Sequence, residues 1–541
     1  MRDFTKARRA QDIRVTNQIK SPSTYPLVLG LFYLPKEIVC SVALNGREAY
    51  MMNGTNEKGQ TMKINYPIIT SGITLDHEQV HGVVFGIAHR SVLIGDEMGV
   101  GKTFQGASLA LATIQSGFDK FLIVCPPTLR KNWMVELHRI APELSVALLE
   151  GTRPSKQGIT ALPDSDILLI GDASLSGWAN LLTGNISGVV VDECHNFKAL
   201  HEAKSKRSRR SVALDKVCAG LPDGAIRCFM SGTPLVNTPV DLASIITMLG
   251  RQSHFGGHAS FMTRYMPYSG VSRGRVRRSP ANLLELHEKC QTFMIRRTRD
   301  EVLDLPNNGR IEIACELSAK FAGEYQIALD DIRQYILDRR GEESARRFDN
   351  AEMLVRLGVL RKIAGLGKVE MGIAYAKSLL DLGEKVFITT WHSEVADLYA
   401  SGLEHYGVAK VVGGMNDKAK HSAVEAFQNG EAMVMIGNIK AVGVGLTLTS
   451  ARHHISAELP WTSADLVQCE ARTLRKGQTR ECVSHIMRAD LDEASTIDSH
   501  LLAIINRKNE ILTATLNGEE VPLFDSDQDS TCQRILDALF A

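Results

Sequence analysis

At 541 residues the chain is too long for one ordinary core, and about 150 residues per domain argues for three or four units. Hydrophobic residues make up 44% and charged residues 23%, and no apolar run approaches the roughly 18 residues of a membrane-spanning helix. A net charge of +1 excludes a polycation, so any nucleic-acid surface is a local patch. The 10 cysteines include no Cys-x-x-Cys pair, which argues for reduced thiols and against a zinc finger. Met1 to Lys20 is polar and lacks an apolar signal core. Together these features predict a cytoplasmic protein with no membrane partner.

Residues 1–70 carry short apolar runs, Tyr25–Leu34 and Ile38–Leu44, between turn residues. They predict a small strand-rich unit. From 71 to 310 the pattern becomes apolar strand, loop, helix, repeated. Ser91–Ile94, Phe121–Val124, Ile167–Ile170, Val189–Val191 and Cys228–Met230 are short apolar runs bounded by turns. That alternation predicts a parallel sheet covered on both faces. Residues 311–365 read as a helical bridge, with helices over Ser318–Arg340 and Asn350–Ile363. A second alternating region fills 366–515, with runs at Val386–Ile388, Val411–Val412, Val434–Ile436, His454–Ser456 and Val483–Ile486. Residues 516–541 read as a tail, acidic and polar over 522–530. The expected class is α/β: two parallel-sheet lobes, a helical bridge and a small N-terminal unit.

Four short blocks carry the chemistry. Asp96-Glu97-Met98-Gly99-Val100-Gly101-Lys102-Thr103 follows a strand and opens a helix. The backbone of Gly99, Val100 and Gly101 can cradle phosphate, with Lys102 bridging phosphates and Thr103 ligating Mg²⁺. The strict Gly-x4-Gly-Lys-Thr pattern is broken, because Asp96 stands at the first glycine. Asp192-Glu193-Cys194-His195 ends an apolar strand, where carboxylates face such a loop. Asp192 is the candidate magnesium ligand and Glu193 the base orienting water. Ser231-Gly232-Thr233-Pro234 is the third block. In the fourth, Gln468 to Arg475, Arg472 and Arg475 lie three apart on one helical face. Arginine is planar and permanently charged, which suits γ-phosphate.

His77-Glu78-Gln79-Val80-His81 has the spacing of zinc peptidases, but no third ligand sits at a standard spacing. Lying just upstream of the phosphate loop, Gln79 is the residue expected to contact the nucleotide. Basic segments around Lys206 and Arg207, and around Arg275 and Arg277, are the candidate DNA contacts. Each could equally be a solvated loop.

These blocks closely resemble Swi/Snf-type helicase-like ATPases of helicase superfamily II, over about residues 71 to 515. Asp96 is what that branch carries at the first glycine. Val124 to Leu129 with Trp133 resembles motif Ia, and Thr128 is carried over from it as a DNA contact. Phe293 to Thr298, followed by Glu301 to Pro306, resembles the signature between lobes. Gly443 to Thr449 resembles motif V and supplies Gly445 at the nucleotide; Gln468 to Gln478 resembles motif VI, and Thr496-Ile497-Asp498 the closing helix. Ser279 to His287 is most similar to the annealing, fork-remodelling branch.

The resemblance implies two RecA-like lobes, ATP and Mg²⁺, and a motor acting on double-stranded or branched DNA. It implies a monomeric motor that tracks along duplex DNA, with protein partners possible through residues 1–70. A compact single motor leans towards a bacterial nucleoid or the host cytoplasm of a phage. Two positions depart from the family: Ala471 replaces an acidic residue and Leu474 a histidine. The alternatives are a strand-separating helicase of the same superfamily, a non-hydrolysing adaptor, and a zinc peptidase through His77 and His81.

Overall fold

The computed structural model describes residues 51–55, 61–65, 69–202, 207–234, 239–272, 275–278, 281–302, 308–338, 350–442, 446–491 and 495–517, with Ile535 and Leu539. In the first half the strands are β1 Met51–Thr55, β2 Thr61–Asn65, β3 Ser91–Ile94, β4 Phe121–Cys125, β5 Val146–Leu149, β6 Ile167–Gly171, β7 Gly188–Asp192 and β8 Ile226–Met230. They continue with β9 Tyr268–Ser272, β10 Arg275–Arg278, β11 Met294–Ile295, β12 Asn308–Glu316, β13 Val386–Thr390 and β14 Val408–Val411. The last three are β15 Val434–Asn438, β16 His453–Ser456 and β17 Cys482–Asp490. Every predicted run of the two lobes overlaps one of these strands.

The first sheet has seven strands in the order β11-β3-β8-β7-β4-β6-β5, all parallel. β4, β6 and β7 are buried along their whole length, because helices cover both faces and every residue meets one of them. Leu122, Val124, Val189 and Val191 pack on one side with Leu175, Trp178 and Leu214. Ile123, Val190 and Cys228 pack on the other with Ala107, Leu111 and Trp133. The order β3-β8-β7 sets the loops after these strands side by side. The phosphate loop, Ser231 to Pro234 and Glu193 to His195 thus converge at one sheet edge, the carboxyl end where such sheets bind ligands.

The second sheet has six parallel strands in the order β12-β17-β16-β13-β15-β14. β12 pairs with β17 from Asn308↔Cys482 to Glu316↔Asp490. The expected start of a helical bridge at 311 therefore falls inside a strand of the second lobe. The helices Ala319–Asp338 and Asn350–Gly367 follow it. They share a core with the closing helix Ile497–Asn517, through Tyr325, Ile332, Leu357, Leu360, Leu501 and Ile505. That closing helix also reaches the other lobe, since Leu516 belongs to the first lobe's core.

In residues 1–70 the β1–β2 hairpin is described, and the runs at Tyr25–Leu34 and Ile38–Leu44 lie outside the described residues. β9 and β10 form a second antiparallel hairpin. The described cysteines are buried and unpaired. Among the described residues no helix is long and apolar enough to cross a membrane.

Within the segment read as a tail, Ile535 is fully buried in the core of the bridge helices, and Leu539 packs against it. Ile535→Ala is expected to destabilise the protein by about 2–5 kcal/mol, as large-to-small core substitutions do. Urea unfolding of the variant checks this; an unshifted midpoint would contradict the burial.

Candidate active site

The phosphate loop turns on two glycines. Gly99 and Gly101 have φ of 97° and 95°, the left-handed region that side chains disfavour. At Gly101 a Cβ would also lie 2.2 Å from Gln79 Nε2, so any side chain there would displace the Gln79 amide. Gln79 belongs to the helix His77–His89, and its Oε1 accepts the Asp76 N–H at 3.0 Å. The expected nucleotide contact is therefore packed against the loop and held by its own helix cap. Lys102 opens the helix Lys102–Gln115, with Thr103 next in its first turn. The Lys102 Nζ donates to the carbonyls of Asp96 at 2.7 Å and Glu97 at 3.1 Å. Burial lowers its proton affinity, while Glu193, Asp96 and Asp192 oppose the shift.

Across the sheet edge, Asp192 Oδ2 accepts the Trp133 indole N–H at 2.9 Å and Oδ1 accepts the Glu193 N–H at 2.9 Å. Trp133 is fully buried beside the phosphate-loop helix: a Cβ on Gly106 would come within 2.8 Å of its ring. Burial pushes the Asp192 carboxyl up to about 6, and the adjacent Glu193 charge adds to the rise. Glu193 takes a left-handed backbone, φ 49°, which turns its side chain away from the strand direction. Its Oε2 lies 3.2 Å from His195 Nδ1 and accepts the Ser231 hydroxyl at 3.3 Å. His195 and Ser231 are themselves 2.8 Å apart. Burial would raise the Glu193 carboxyl, but the His195 hydrogen bond with Lys102 and Arg472 outweighs it and lowers it to about 2. Glu193 is thus ionised and, with its proton affinity lowered, suited to orient water through its carboxylate oxygens rather than to hold a proton.

Asp96 has no exposed surface and pairs with Arg297, 201 residues away. Arg297 Nε donates to Asp96 Oδ1 at 2.9 Å, a second guanidinium nitrogen reaches Oδ2, and Gln105 Nε2 donates to Oδ2 at 3.0 Å. Main-chain bonds continue the match. Gly95 N–H donates to Ile295 O at 2.7 Å and Glu97 N–H to Arg297 O at 2.9 Å. The residue that breaks the glycine pattern therefore welds the inter-lobe segment to the phosphate loop. Arg296 adds a bond to Gly95 O at 3.0 Å.

The second lobe supplies the arginines. Arg472 Nε donates to Gln468 O at 3.0 Å and Nη1 to Leu446 O at 3.2 Å. Arg475 Nε donates to Ala471 O at 3.0 Å and Nη1 to Thr447 Oγ1 at 3.2 Å. Burial lowers Arg472 to about 10. Arg475 falls well below the usual arginine range through burial, then the charges of Arg472 and Arg299, with Glu193 opposing. Its charge also bears on Lys102, so the two lobes meet at one electrostatic site. Gln478 ties the arginine turn to the preceding loop through Thr449 O, Ala451 O and Thr473 O, at 3.1, 3.0 and 3.2 Å. The two departures, Ala471 and Leu474, are buried apolar packing.

The remaining expected residues separate. Gly445 and Lys206 lie outside the described residues. Thr128 is exposed in the turn Pro127–Leu129 after β4. Arg207 is exposed and its Nε donates to Glu202 O at 2.9 Å. Arg275 and Arg277 stand on β10, with side chains outside the described set. His77 and His81 share the helix His77–His89, but no group of three or more His, Cys, Asp or Glu able to hold a metal exists among the described residues. Among the described residues no third ligand joins them, so the zinc-peptidase alternative is not supported. Burial, with Arg297 and His77, lowers His81 to about 4.

Asp96→Gly would restore the missing loop glycine yet leave the Arg297 guanidinium buried without its carboxylate. The variant is expected to lose about 3–5 kcal/mol of stability, the cost of breaking a buried pair. Chemical denaturation checks this, and a variant as stable as the parent would contradict the pairing.

Residues 41–365 match the SNF2-related domain family, and residues 372–477 match the helicase conserved C-terminal domain family. The Mus musculus protein "DNA annealing helicase and endonuclease ZRANB3" is 29% identical over 475 residues, covering 83% of this chain and 41% of that protein. The Xenopus laevis "SWI/SNF-related matrix-associated actin-dependent regulator of chromatin subfamily A-like protein 1" is 27% identical over 447 residues, 80% of this chain and 43% of the other. The chain spans about two fifths of the length of these curated relatives. A solved "Sulfolobus solfataricus SWI2/SNF2 ATPase core in complex with dsDNA" aligns at 21% identity and a TM-score of 0.40, over 86% of this chain and 100% of that one. With more than half of its length matched to that one domain family, the chain belongs to the SNF2-related family.

Proposed function

We propose that the protein is a DNA-dependent ATPase that moves along double-stranded DNA, its two lobes opening and closing around ATP. Family membership supports ATP use. The observation that carries the reading is the meeting of opposite charges across the lobes. Lys102, Arg472 and Arg475 bear electrostatically on one partly buried site with Asp192 and Glu193. The arginines there are held at reduced proton affinity, so the site favours an incoming anion. A triphosphate supplies that anion.

The roles follow from placement. Gly99, Val100 and Gly101 offer main-chain N–H groups at a helix N-terminus, and Lys102 moves from loop carbonyls to phosphate oxygens. Thr103 and Asp192 offer hard oxygen donors of the kind Mg²⁺ prefers, and the raised Asp192 carboxyl marks a buried anion that a cation would stabilise. A bound Mg²⁺ would neutralise phosphate charge. Glu193, ionised and fixed by His195 and Ser231, orients the attacking water. Arg475, with Arg472, stabilises charge that develops on the transferring phosphoryl group. Because the arginines belong to the second lobe, hydrolysis requires the lobes to close.

The exposed Arg207 and Thr128, and the basic β9–β10 hairpin, are the proposed contacts to the DNA backbone. Phosphate contacts are sequence-independent, as a translocating motor requires. The Mus musculus relative named as a DNA annealing helicase and endonuclease, and the Ser279 to His287 segment, support action on branched or forked DNA. Residues 1–70 are proposed to choose the DNA structure or a partner.

Glu193→Gln is expected to bind ATP normally and lose on the order of 100-fold or more in turnover; Lys102→Ala should lose turnover and nucleotide binding together. Near-normal turnover in either variant would contradict these roles. The reading as a whole is tested by ATPase activity with duplex, fork, single-stranded DNA and RNA in parallel. Duplex and fork should stimulate, and stimulation should fall steeply as salt rises. Stimulation by RNA alone, or by no nucleic acid, would overturn it.

A further inference from the structure

Arg299 sits where the two halves of the active site touch. It follows the segment welded to the phosphate loop by Asp96 and Arg297, at the start of the short helix Arg299–Val302. Its backbone N–H and its Nε both donate to Glu97 Oε2, at 3.1 and 3.3 Å. Its Nη1 reaches the main-chain carbonyl of Leu474 at 3.4 Å. Glu97 is a residue of the phosphate loop, and Leu474 directly precedes Arg475. One guanidinium therefore spans from the loop that holds the phosphates to the turn that carries the second-lobe arginine.

We propose that Arg299 is a positioning residue that couples the phosphate loop to Arg475, using Glu97 on one side and the Leu474 carbonyl on the other. The inference rests on the ATPase reading above and deepens it. Arg475 makes its own hydrogen bonds to Ala471 and Thr447, both within the second lobe. The Arg299 contact is what refers its turn to the first lobe. A second inter-lobe pair, Lys476 with Asp76 at 2.8 Å, is 70% and 48% exposed, and such pairs contribute little. The Arg299 side chain is only 13% exposed.

The loop end of the relay is tied to Lys102. Lys102 Nζ donates to the Glu97 carbonyl at 3.1 Å. Phosphates drawing that amine away free the Glu97 main chain, and the Glu97 side chain transmits the shift to Arg299. The contact to position 474 is made by the backbone. Leucine at a position where the family carries histidine therefore leaves the relay intact.

The test uses the full chain with duplex DNA, reading kcat and KM for ATP together with the melting temperature. Arg299→Ala should lower kcat on the order of tenfold to 100-fold through a misplaced Arg475, with KM changed less than about threefold. Arg299→Lys keeps the buried charge but cannot fork between a carboxylate and a carbonyl. It should retain a kcat between that of Arg299→Ala and the parent, and it serves alone if Arg299→Ala melts early. Because Glu97 also pairs with Arg296 at 3.5 Å, adding Glu97→Gln to Arg299→Ala should cost clearly less kcat than the two single changes combined, as residues on one relay do. Parental kcat in Arg299→Lys or Arg299→Ala, while Arg475→Ala is inactive, overturns the relay and leaves the ATPase reading standing. A parent chain that does not hydrolyse ATP overturns that reading instead.

Discussion

A buried carboxylate inside a phosphate loop is an unusual choice, and the ion pair between Asp96 and Arg297 resolves it. A lone buried charge costs several kcal/mol, and one removed from a pair costs about 3–5 kcal/mol. Asp96 is wholly buried, so Arg297 cannot be far from it in any folded state. That constraint pulls residues 293–299 alongside β3, where Leu93, Gly95 and Glu97 donate their N–H groups to Phe293, Ile295 and Arg297. The start of the inter-lobe connection is thereby fixed to the phosphate loop. A shift of that loop would therefore be carried to the root of the second lobe.

Sheet order does the rest of the assembly. Placing β8 between β3 and β7 aligns three loops that are far apart in sequence. Lys102, Glu193 and Ser231 then lie along one edge without any of them being strained except Glu193, whose left-handed backbone aims its carboxylate at His195 and Ser231. The second sheet brings Arg472 and Arg475 from the opposite side. Crowding these arginines near Lys102 and Arg299 is electrostatically costly. An anionic nucleotide between them offsets that repulsion, which is a physical reason for closure to follow binding.

The fully buried strands were readable because helices on both faces leave no polar position, so β4, β6 and β7 are unbroken apolar runs. β11 escaped notice because it is two residues defined by pairing with β3. β12 escaped because it alternates, with Ile311 half exposed, and because its partner β17 lies far downstream. At the site, Lys102, Asp192 and Glu193 were legible from local pattern, since each sits where a strand meets a loop. Arg472 and Arg475 were expected on one helical face and suited to γ-phosphate by their chemistry; the helix ends at Glu470 instead, and both lie in the turn that follows it. Asp96 with Arg297, and Trp133 with Asp192, were not legible, because those pairs are joined by the fold over long sequence distances. Ile535 was masked by the polar segment before it, although its burial follows from the apolar face of the bridge helices.

The central claim is that a second-lobe arginine acts on the transition state of a reaction staged in the first lobe. It is tested most directly by comparing affinity for ADP with affinity for ADP plus vanadate or aluminium fluoride, in the parent and in Arg475→Ala, with Mg²⁺ and duplex DNA. An arginine that acts on developing charge should leave ADP affinity about unchanged and weaken the analogue complex on the order of 100-fold or more. Equal losses for ADP and for the analogue would place Arg475 in ground-state binding and contradict the account.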